Sequence, residues 1–205
     1  MPTIRDSLLK DARWYGLWMD LIRAEKEQQV LVAEHIRPRP GESLLDVGCG
    51  EGRVRRLLGD IEYVGVDLNR DYLDRAARHA DSTTRFVAAD VASLSELGLG
   101  PFDVAMALGL HHHIDDDAVR GLIGDIASML KPGSRYVTVD PVFSPASRTT
   151  ARVLAALDRG RHVRDEVGYR RLYDDSPMRI ETVRIRHDLL PFPYSHCIIE
   201  ATRVR

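Results

Sequence analysis

"LLDVGCGEGR", residues 44–53, is the stretch that decides the fold. An apolar run surrounds Asp46, and glycine then falls at every second position: Gly48, Gly50 and Gly52. Glycine destabilises the interior of a strand or helix because its backbone has the most freedom to lose. Three glycines this close together therefore indicate a loop that follows a strand and lets a ligand approach the backbone closely.

Short apolar runs and helix-like stretches alternate through the middle of the chain. The predicted strands are residues 43–47, 62–66, 84–89, 102–108 and 135–139. Between the last two, Val119, Leu122 and Ile126 share one face of a predicted helix at 115–130. Strands that are apolar nearly from end to end and are separated by helices are typical of a parallel sheet covered on both faces.

The two ends of the chain depart from this alternation. Residues 179–187 and 195–204 are strand-like, and the connection between them leaves no room for a helix, so they predict an antiparallel hairpin. Residues 5–36 have helical periodicity, which ends at the prolines of residues 37–41. One further helix is predicted at about 146–158.

These patterns predict an α/β fold. We expect a seven-stranded, mostly parallel sheet with helices on both faces, an antiparallel C-terminal edge hairpin and an N-terminal helical lid. Residues 1–205 then form a single domain, with residues 1–38 as the lid and 39–205 as the core.

Composition narrows the class of protein. Of the 205 residues 44% are apolar and 29% are charged, with a formal net charge of −2, and no basic block suggests a nucleic-acid partner. No apolar run approaches the ~20 residues of a membrane span. The charged N-terminus does not resemble a signal peptide, and Cys49 and Cys197 are far apart. We therefore expect a cytoplasmic protein without membrane contact.

Two common glycine-loop ligands fit this loop poorly. A triphosphate loop needs a lysine and a hydroxyl residue after its last glycine, and neither is present. The dinucleotide pattern G-x-G-x-x-G has Arg53 where its third glycine belongs. Asp46 would in addition bring negative charge towards a diphosphate.

The pattern D-x-G-x-G-x-G is instead similar to motif I of the class I S-adenosylmethionine-dependent methyltransferases. Other motifs of that family follow in order over residues 40–205: Asp67 at the end of the second strand, AADV (88–91), FDVAMALGLHHHIDD (102–116) and LKPGSRYVTVD (130–140). The resemblance implies a Rossmann-like core that binds S-adenosylmethionine. It also implies transfer of a methyl group to an O, N or C atom of a small-molecule acceptor. The alternative is a non-catalytic protein that binds S-adenosylmethionine or serves as a scaffold on the same fold.

The resemblance also implies which residues bind the cofactor. The methionine end would be held by Asp46, Gly48, Cys49, Gly50 and Gly52, and the ribose and adenine by Asp67, Leu68, Asp90, Val91 and Leu108. Four of these residues have simpler explanations that stay open. Asp46 can cap the following turn, and Asp67 can be a plain loop acid. Gly52 can serve helix packing alone, and Asp90 can simply cap a helix.

Three consecutive histidines, residues 111–113, suggest either catalysis or a metal. Metal binding needs converging ligands, and neighbouring side chains point in different directions, so no metal is expected. The resemblance places His112 and His113 at the rim of the cleft, where a histidine can act as a general base. The family's usual leucine is replaced here by His111, which leaves the orientation of the pair open.

The acceptor site carries no motif that identifies the acceptor. Trp14, Tyr15 and Trp18 are candidates to wall the pocket, with core packing as the alternative. Asp140 ends the fifth predicted strand, where it can contact the acceptor or form a turn. Arg164 lies in a charged segment that is either solvated or binds an acidic acceptor.

Overall fold

The computed structural model describes residues 24–143, 162–190 and 195–204. The strands are β1 Ser43–Val47, β2 Glu62–Asp67, β3 Thr84–Ala88, β4 Phe102–Leu108, β5 Leu130–Pro141, β6 Met178–Arg186 and β7 His196–Arg203. The α-helices are α1 Ala24–Leu31, α2 Arg70–Ala76, α3 Asp116–Met129 and α4 Glu166–Arg171. A π-helical turn, Val32–Ile36, continues α1, and short 3-10 helices span Arg53–Leu57, Ala77–His79, Val91–Leu97 and His111–His113.

Within these ranges the strands form one seven-stranded sheet in the order β3-β2-β1-β4-β5-β7-β6. The first five are parallel, whereas β7 runs antiparallel to both β5 and β6. The predicted mostly parallel sheet with an antiparallel C-terminal hairpin is therefore confirmed.

Two apolar layers cover the two faces of the sheet. On one face α3 buries Val119, Ile123 and Ile126 together with Tyr169 of α4. On the other face Ile36 packs with Val54 of the helix that follows the glycine loop. Because both faces are covered, the central strands are apolar nearly throughout.

The structure differs from the predicted elements at two places. The glycine loop leads into a 3-10 helix of only five residues, Arg53–Leu57. Strand β5 begins at Leu130 rather than at residue 135, because Leu130 pairs with Phe102 of β4. Helix α3 accordingly ends at Met129, three residues before Pro132.

The N-terminal prediction is only partly within the described residues. Residues 24–36 are helical, and His35 bonds through Nδ1 to a carboxylate oxygen of Glu200 on β7, at 2.8 Å. The lid function remains a prediction. The candidate pocket residues Trp14, Tyr15 and Trp18, and the helix predicted at 146–158, lie outside the described residues.

Gly52 illustrates how packing fixes the glycine loop. Its φ is +64°, and a Cβ there would lie 2.8 Å from the ring of Phe86. We expect Gly52→Ala to lower the free energy of unfolding by about 2 kcal/mol, through backbone strain and overpacking. Gly124→Ala in α3 is the matched control, because its Cβ would meet open space. It should raise stability by up to about 1 kcal/mol. Chemical denaturation measures both, and equal stabilities of the two variants would contradict this packing.

Candidate functional site

The candidate site lies where the parallel strands end. The carboxyl ends of parallel neighbours meet at one edge of a sheet, so the loops after β1, β2, β3 and β4 converge there. They bring the glycine loop, Asp67, Asp90 and the turn His111–His113, called the histidine turn below, to the same edge.

The glycine loop is held against the end of β2 by backbone hydrogen bonds. The amides of Gly48 and Cys49 donate to the carbonyl of Val66 at 2.8 and 3.1 Å. The amide of Gly50 donates to Oδ2 of Asp67 at 2.8 Å. Gly48 and Gly50 have φ of 75° and 54°, a region that side-chain-bearing residues rarely adopt. A Cβ on Gly50 would meet nothing within 4 Å, so the backbone there is open to a ligand.

Asp67 joins the glycine loop to the start of α2. Its second oxygen accepts from the amide of Asn69 at 2.8 Å, and Asn69 in turn caps α2. Each carboxylate oxygen has further acceptor capacity, which two vicinal hydroxyls can use. The next residue, Leu68, is 69% exposed and offers an apolar surface beside this acid.

Asp46 lies beneath the loop rather than on its surface. It is 2% exposed, and the hydroxyl of Tyr63 donates to its Oδ2 at 2.6 Å. Burial, reinforced by the charge of Asp67, raises the pKa of Asp46 from 3.8 to about 7. A positive group above the loop would favour the ionised carboxylate and lower that pKa.

The remaining predicted cofactor residues are arranged as follows. Asp90 is exposed and caps the helix Val91–Leu97 through the amide of Ala92, at 3.0 Å. Its contact with the adenine stays a prediction. Burial raises the pKa of the Cys49 thiol. Val91 and Leu108 are half-buried at the same edge.

The histidine turn after β4 packs against the glycine loop. A Cβ on Gly48 would lie 3.2 Å from Leu110, which immediately precedes the turn. His112 is 4% exposed, and its Nδ1 lies 2.9 Å from Oδ1 of Asp140. The backbone amide of His112 donates to the same oxygen at 3.2 Å. The structure thus joins Asp140, at the end of β5, to the histidine turn. The ring of the exposed His113 lies against that of His112, with centroids 4.0 Å apart and the planes tilted by 39°.

A second imidazole lies behind this pair. His111 is 1% exposed, and its Nε2 is 2.8 Å from the hydroxyl of Tyr136. Burial lowers the pKa of His111, so the ring is neutral near pH 7.

Arg164 holds the histidine turn from the outside. Its guanidinium donates to the carbonyls of His111 at 2.8 Å and Ile114 at 2.9 Å. It also donates to Asp116 at 2.8 Å. The Arg164 side chain is only 8% exposed, so the expectation of a solvated or acceptor-binding arginine is wrong: its donors are used by the turn.

The described part of the chain offers neither a metal site nor a membrane-spanning helix. There, no three His, Cys, Asp or Glu side chains are grouped so that they could hold a metal ion. No helix in the same ranges has the length and apolar character needed to cross a membrane.

Known proteins share both this fold and this sequence pattern. The sequence model of the family described as "Methyltransferase domain" matches residues 44–133. An O-methyltransferase of Pyrenophora dematioidea is 30% identical over 142 residues, which are 62% of this chain and 52% of the fungal protein. Phosphoethanolamine N-methyltransferase 3 of Arabidopsis thaliana is 28% identical, over 67% of this chain and 29% of the plant protein. This chain thus spans about half of the fungal relative and less of the plant one.

A solved structure extends the likeness across the fold. The geranyl diphosphate C-methyltransferase of Streptomyces coelicolor A3(2), in complex with Mg²⁺, geranyl diphosphate and S-adenosyl-L-homocysteine, matches with a TM-score of 0.69 and 18% identity. The match covers 89% of this chain and 81% of that one. The architecture is therefore the Rossmann-like methyltransferase fold. The family match over residues 44–133 and the motif order make the chain similar to the class I S-adenosylmethionine-dependent methyltransferases.

Proposed function

We propose that this chain binds S-adenosylmethionine and transfers its methyl group to an O, N or C atom of a small-molecule acceptor. The observation that carries the proposal is the shared edge at which an open glycine loop meets the carboxylates of Asp46 and Asp67. The named relatives and the family match support the same activity.

The residues present fit this cofactor chemically. Its methionine end carries an ammonium group, which suits the buried carboxyl of Asp46 under the loop. Its ribose hydroxyls can donate to Asp67, and the exposed Leu68 provides an apolar surface for the adenine. A phosphate-containing ligand would meet the negative charge of both acids.

The bound cofactor would supply a methyl group already activated by the positive sulfur. The chain then has to align an acceptor with that group and exclude water. A proton acceptor is needed only where the acceptor loses a proton. His112 and His113, our candidate catalytic residues, lie at this edge, and Asp140 contributes through His112.

A single-turnover assay separates this proposal from the non-catalytic alternative. The full chain is mixed with S-adenosylmethionine labelled in its methyl group and with a panel of small hydroxyl, amine and activated-carbon acceptors. We expect label to move to at least one acceptor class. Binding of the cofactor without any transfer across the panel would favour the scaffold alternative.

Asp67 provides a direct test of the ribose site. We expect Asp67→Ala to weaken binding of S-adenosylhomocysteine at least tenfold, because a hydrogen bond to a charged group contributes about 1.5–3 kcal/mol. Asp67→Asn, which keeps an acceptor for the Gly50 amide, separates loss of charge from loss of loop geometry. The exposed Asp74 on α2 supplies the matched control, Asp74→Ala. Isothermal calorimetry gives the affinities, and equal values for all variants would contradict the ribose role.

The proposal includes a cytoplasmic location and a small-molecule partner rather than a nucleic acid. Cys49 and Cys197 are free thiols in the structure, which suits a reducing compartment. The near-neutral charge balance of the sequence supports a small acceptor.

A further inference from the structure

Two carboxylate–imidazole pairs join helix α1 and its π-helical turn to strand β7. Nδ1 of His35 lies 2.8 Å from a carboxylate oxygen of Glu200, and Nε2 of His196 lies 3.5 Å from a carboxylate oxygen of Glu27. The distance from Glu27 to His35 along a helix is about 12 Å, and that from His196 to Glu200 along a strand is about 13 Å. The helix therefore runs alongside the strand and contacts it at both ends.

The end at His35 is held by several contacts. The guanidinium of Arg37 also bonds Glu200, and Arg135 of β5 donates to the backbone carbonyl of Arg37 at 3.3 Å. Ile36, between His35 and Arg37, is fully buried. A guanidinium stays charged over the whole pH range in which proteins are folded, so the two arginine contacts do not depend on pH.

The end at Glu27 is held by much less. Glu27 is as deeply buried as Glu200, since each side chain is 14% exposed. Among the described residues its one ion-pair partner is His196, at the long distance of 3.5 Å. Burial without a guanidinium or ammonium group beside it raises the pKa of Glu27 from 4.5 to about 7.

The elements around this contact carry further cations, which are bound elsewhere or exposed. They are Lys26 of α1, Arg186 of β6, and Arg53, Arg55 and Arg56 of the 3-10 helix that packs on α1. Arg53 bonds Glu51, and Arg55 bonds Asp81. None of these cations forms an ion pair with Glu27 in the structure, so the charge state of Glu27 is set by its burial and by His196.

The weakly held end lies at the edge of the sheet that carries the candidate site. His196 pairs with Pro141 in the ladder between β5 and β7, one position beyond Asp140. Asp140 in turn contacts His112 of the histidine turn. Separation of α1 from β7 at this end therefore exposes strand ends beside the candidate site, whereas the end at His35 stays fixed.

We propose that Glu27 and His196 form a proton-controlled latch, which holds the start of α1 on β7 while Glu27 keeps its proton and releases it when that proton is lost. The contact of His35, Arg37 and Glu200 is the permanent anchor. This latch is a regulatory device that goes beyond the proposed methyl transfer.

The direction of the pH dependence follows from the docked and open states. The pKa of Glu27 is about 7 in the docked state, against the ordinary 4.5 that we expect in the open state. The docked state therefore binds the proton more tightly. Docking is strongest below about pH 4.5, weakens as the pH rises to about 7, and stays weak at higher pH.

Hydrogen exchange of the full-length chain measures the latch. Helix α1 is short, and a short helix owes its stability to docking on a core, so its amides exchange when the latch opens. After correction for intrinsic exchange rates, we expect the protection of α1 relative to that of α3 to fall at least tenfold from pH 5 to pH 7. Helix α3 is the reference because the raised pKa of Asp46 makes the stability of the whole fold depend on pH. A constant ratio in the unmutated chain overturns the proposal, and this reading needs no variant.

Glu27→Gln removes the titrating group and keeps the size of the side chain. In this variant the protection of α1 relative to α3 should stay within twofold between pH 5 and pH 7. Glu34→Gln is the matched control, because Glu34 is an acid of the adjoining π-helical turn whose side chain is 49% exposed. It should keep the wild-type fall. A fall in Glu27→Gln as large as in the wild type would overturn the role of Glu27.

Chemical modification of His196 gives a second readout. Its ring is buried in the docked state, so diethylpyrocarbonate reaches it only after opening. At pH 7.5 we expect His196 to react at least threefold faster in the wild type than in Glu27→Gln, with the exposed His79 reacting equally in both. Equal rates at His196 would overturn the release of α1 from β7. Neither readout involves S-adenosylmethionine, so failure of the latch is distinguishable from failure of the proposed function.

Discussion

Asp46→Asn should make the protein more stable at pH 8 and at the same time weaken its binding of S-adenosylhomocysteine. The folded state holds the Asp46 proton with a pKa of about 7, against 3.8 for an ordinary aspartate. Wild-type stability therefore falls as the pH rises from about 4 to about 7, because the folded state must lose a proton that it binds more tightly than the unfolded chain does.

The Asp46→Asn variant has no such titrating proton. Its free energy of unfolding should exceed that of the wild type by about 3–4 kcal/mol at pH 8, and the two should be close at pH 4. Binding of S-adenosylhomocysteine should weaken at least tenfold at pH 8, since the partner of the ammonium group loses its charge. Urea denaturation over this pH range and calorimetry at pH 8 measure the two effects.

Asp103 is the control, because its pKa is shifted in the opposite direction to that of Asp46. It accepts from Ser43 and from Lys131, and these hydrogen bonds hold its pKa below 3.8 although burial acts the other way. Asp103→Asn should therefore have a lower free energy of unfolding than the wild type at pH 8. The difference should shrink as the pH falls below 4. If Asp46→Asn is also less stable than wild type at pH 8, the raised pKa of the buried Asp46 is contradicted.

Arg164→Ala should lower the free energy of unfolding by about 3–5 kcal/mol, comparable to breaking a buried ion pair. The change leaves the carbonyls of His111, Ile114 and His162 without their guanidinium donor, in a region that is largely closed to water. It should also broaden the ring signals of the histidine turn, because Arg164 holds that turn.

Arg170→Ala is the matched control on the neighbouring helix α4. It forms an ion pair with Glu166, one helical turn away, and both side chains are more than 40% exposed. Such pairs contribute about 0.3–0.5 kcal/mol, so this variant should behave almost as the wild type. Thermal and urea denaturation measure both variants. An equally small loss in free energy of unfolding for the two would contradict the role of Arg164.

The strands were predictable because they are apolar runs bounded by glycine, proline and charged residues. Strands β1 and β4 have the predicted limits, and β2 agrees to within one residue. The start of β5 was missed because Lys131, Pro132 and Gly133 have low strand propensity. Their conformation is set by the pairing of Leu130 with Phe102, a contact that the local pattern does not show.

The candidate site was predictable where function needs a backbone conformation or a charge at a strand end. The glycine loop follows from its spacing, whereas the role of Asp67 is implied only by the resemblance to the family. Tyr63 as the partner of Asp46, and Phe86 under Gly52, depend on which residues the parallel register brings together. Alternating apolar residues give no indication of those pairings.

Arg164 and His111 were the least predictable residues. A single arginine in a charged segment has no periodicity, and its burial arises only because the turn after β4 presents carbonyl groups to it. His111 differs from the usual family residue, and that departure was the one available signal that the turn is unusual.

Calorimetric titration of the full-length chain with S-adenosylhomocysteine at pH 8 tests the central claim most directly. The glycine loop, Asp46 and Asp67 predict a single site that binds one equivalent, and NADH under the same conditions should give no binding heat. A chain that stays folded, yet shows no binding of S-adenosylhomocysteine at millimolar concentration, would contradict the account.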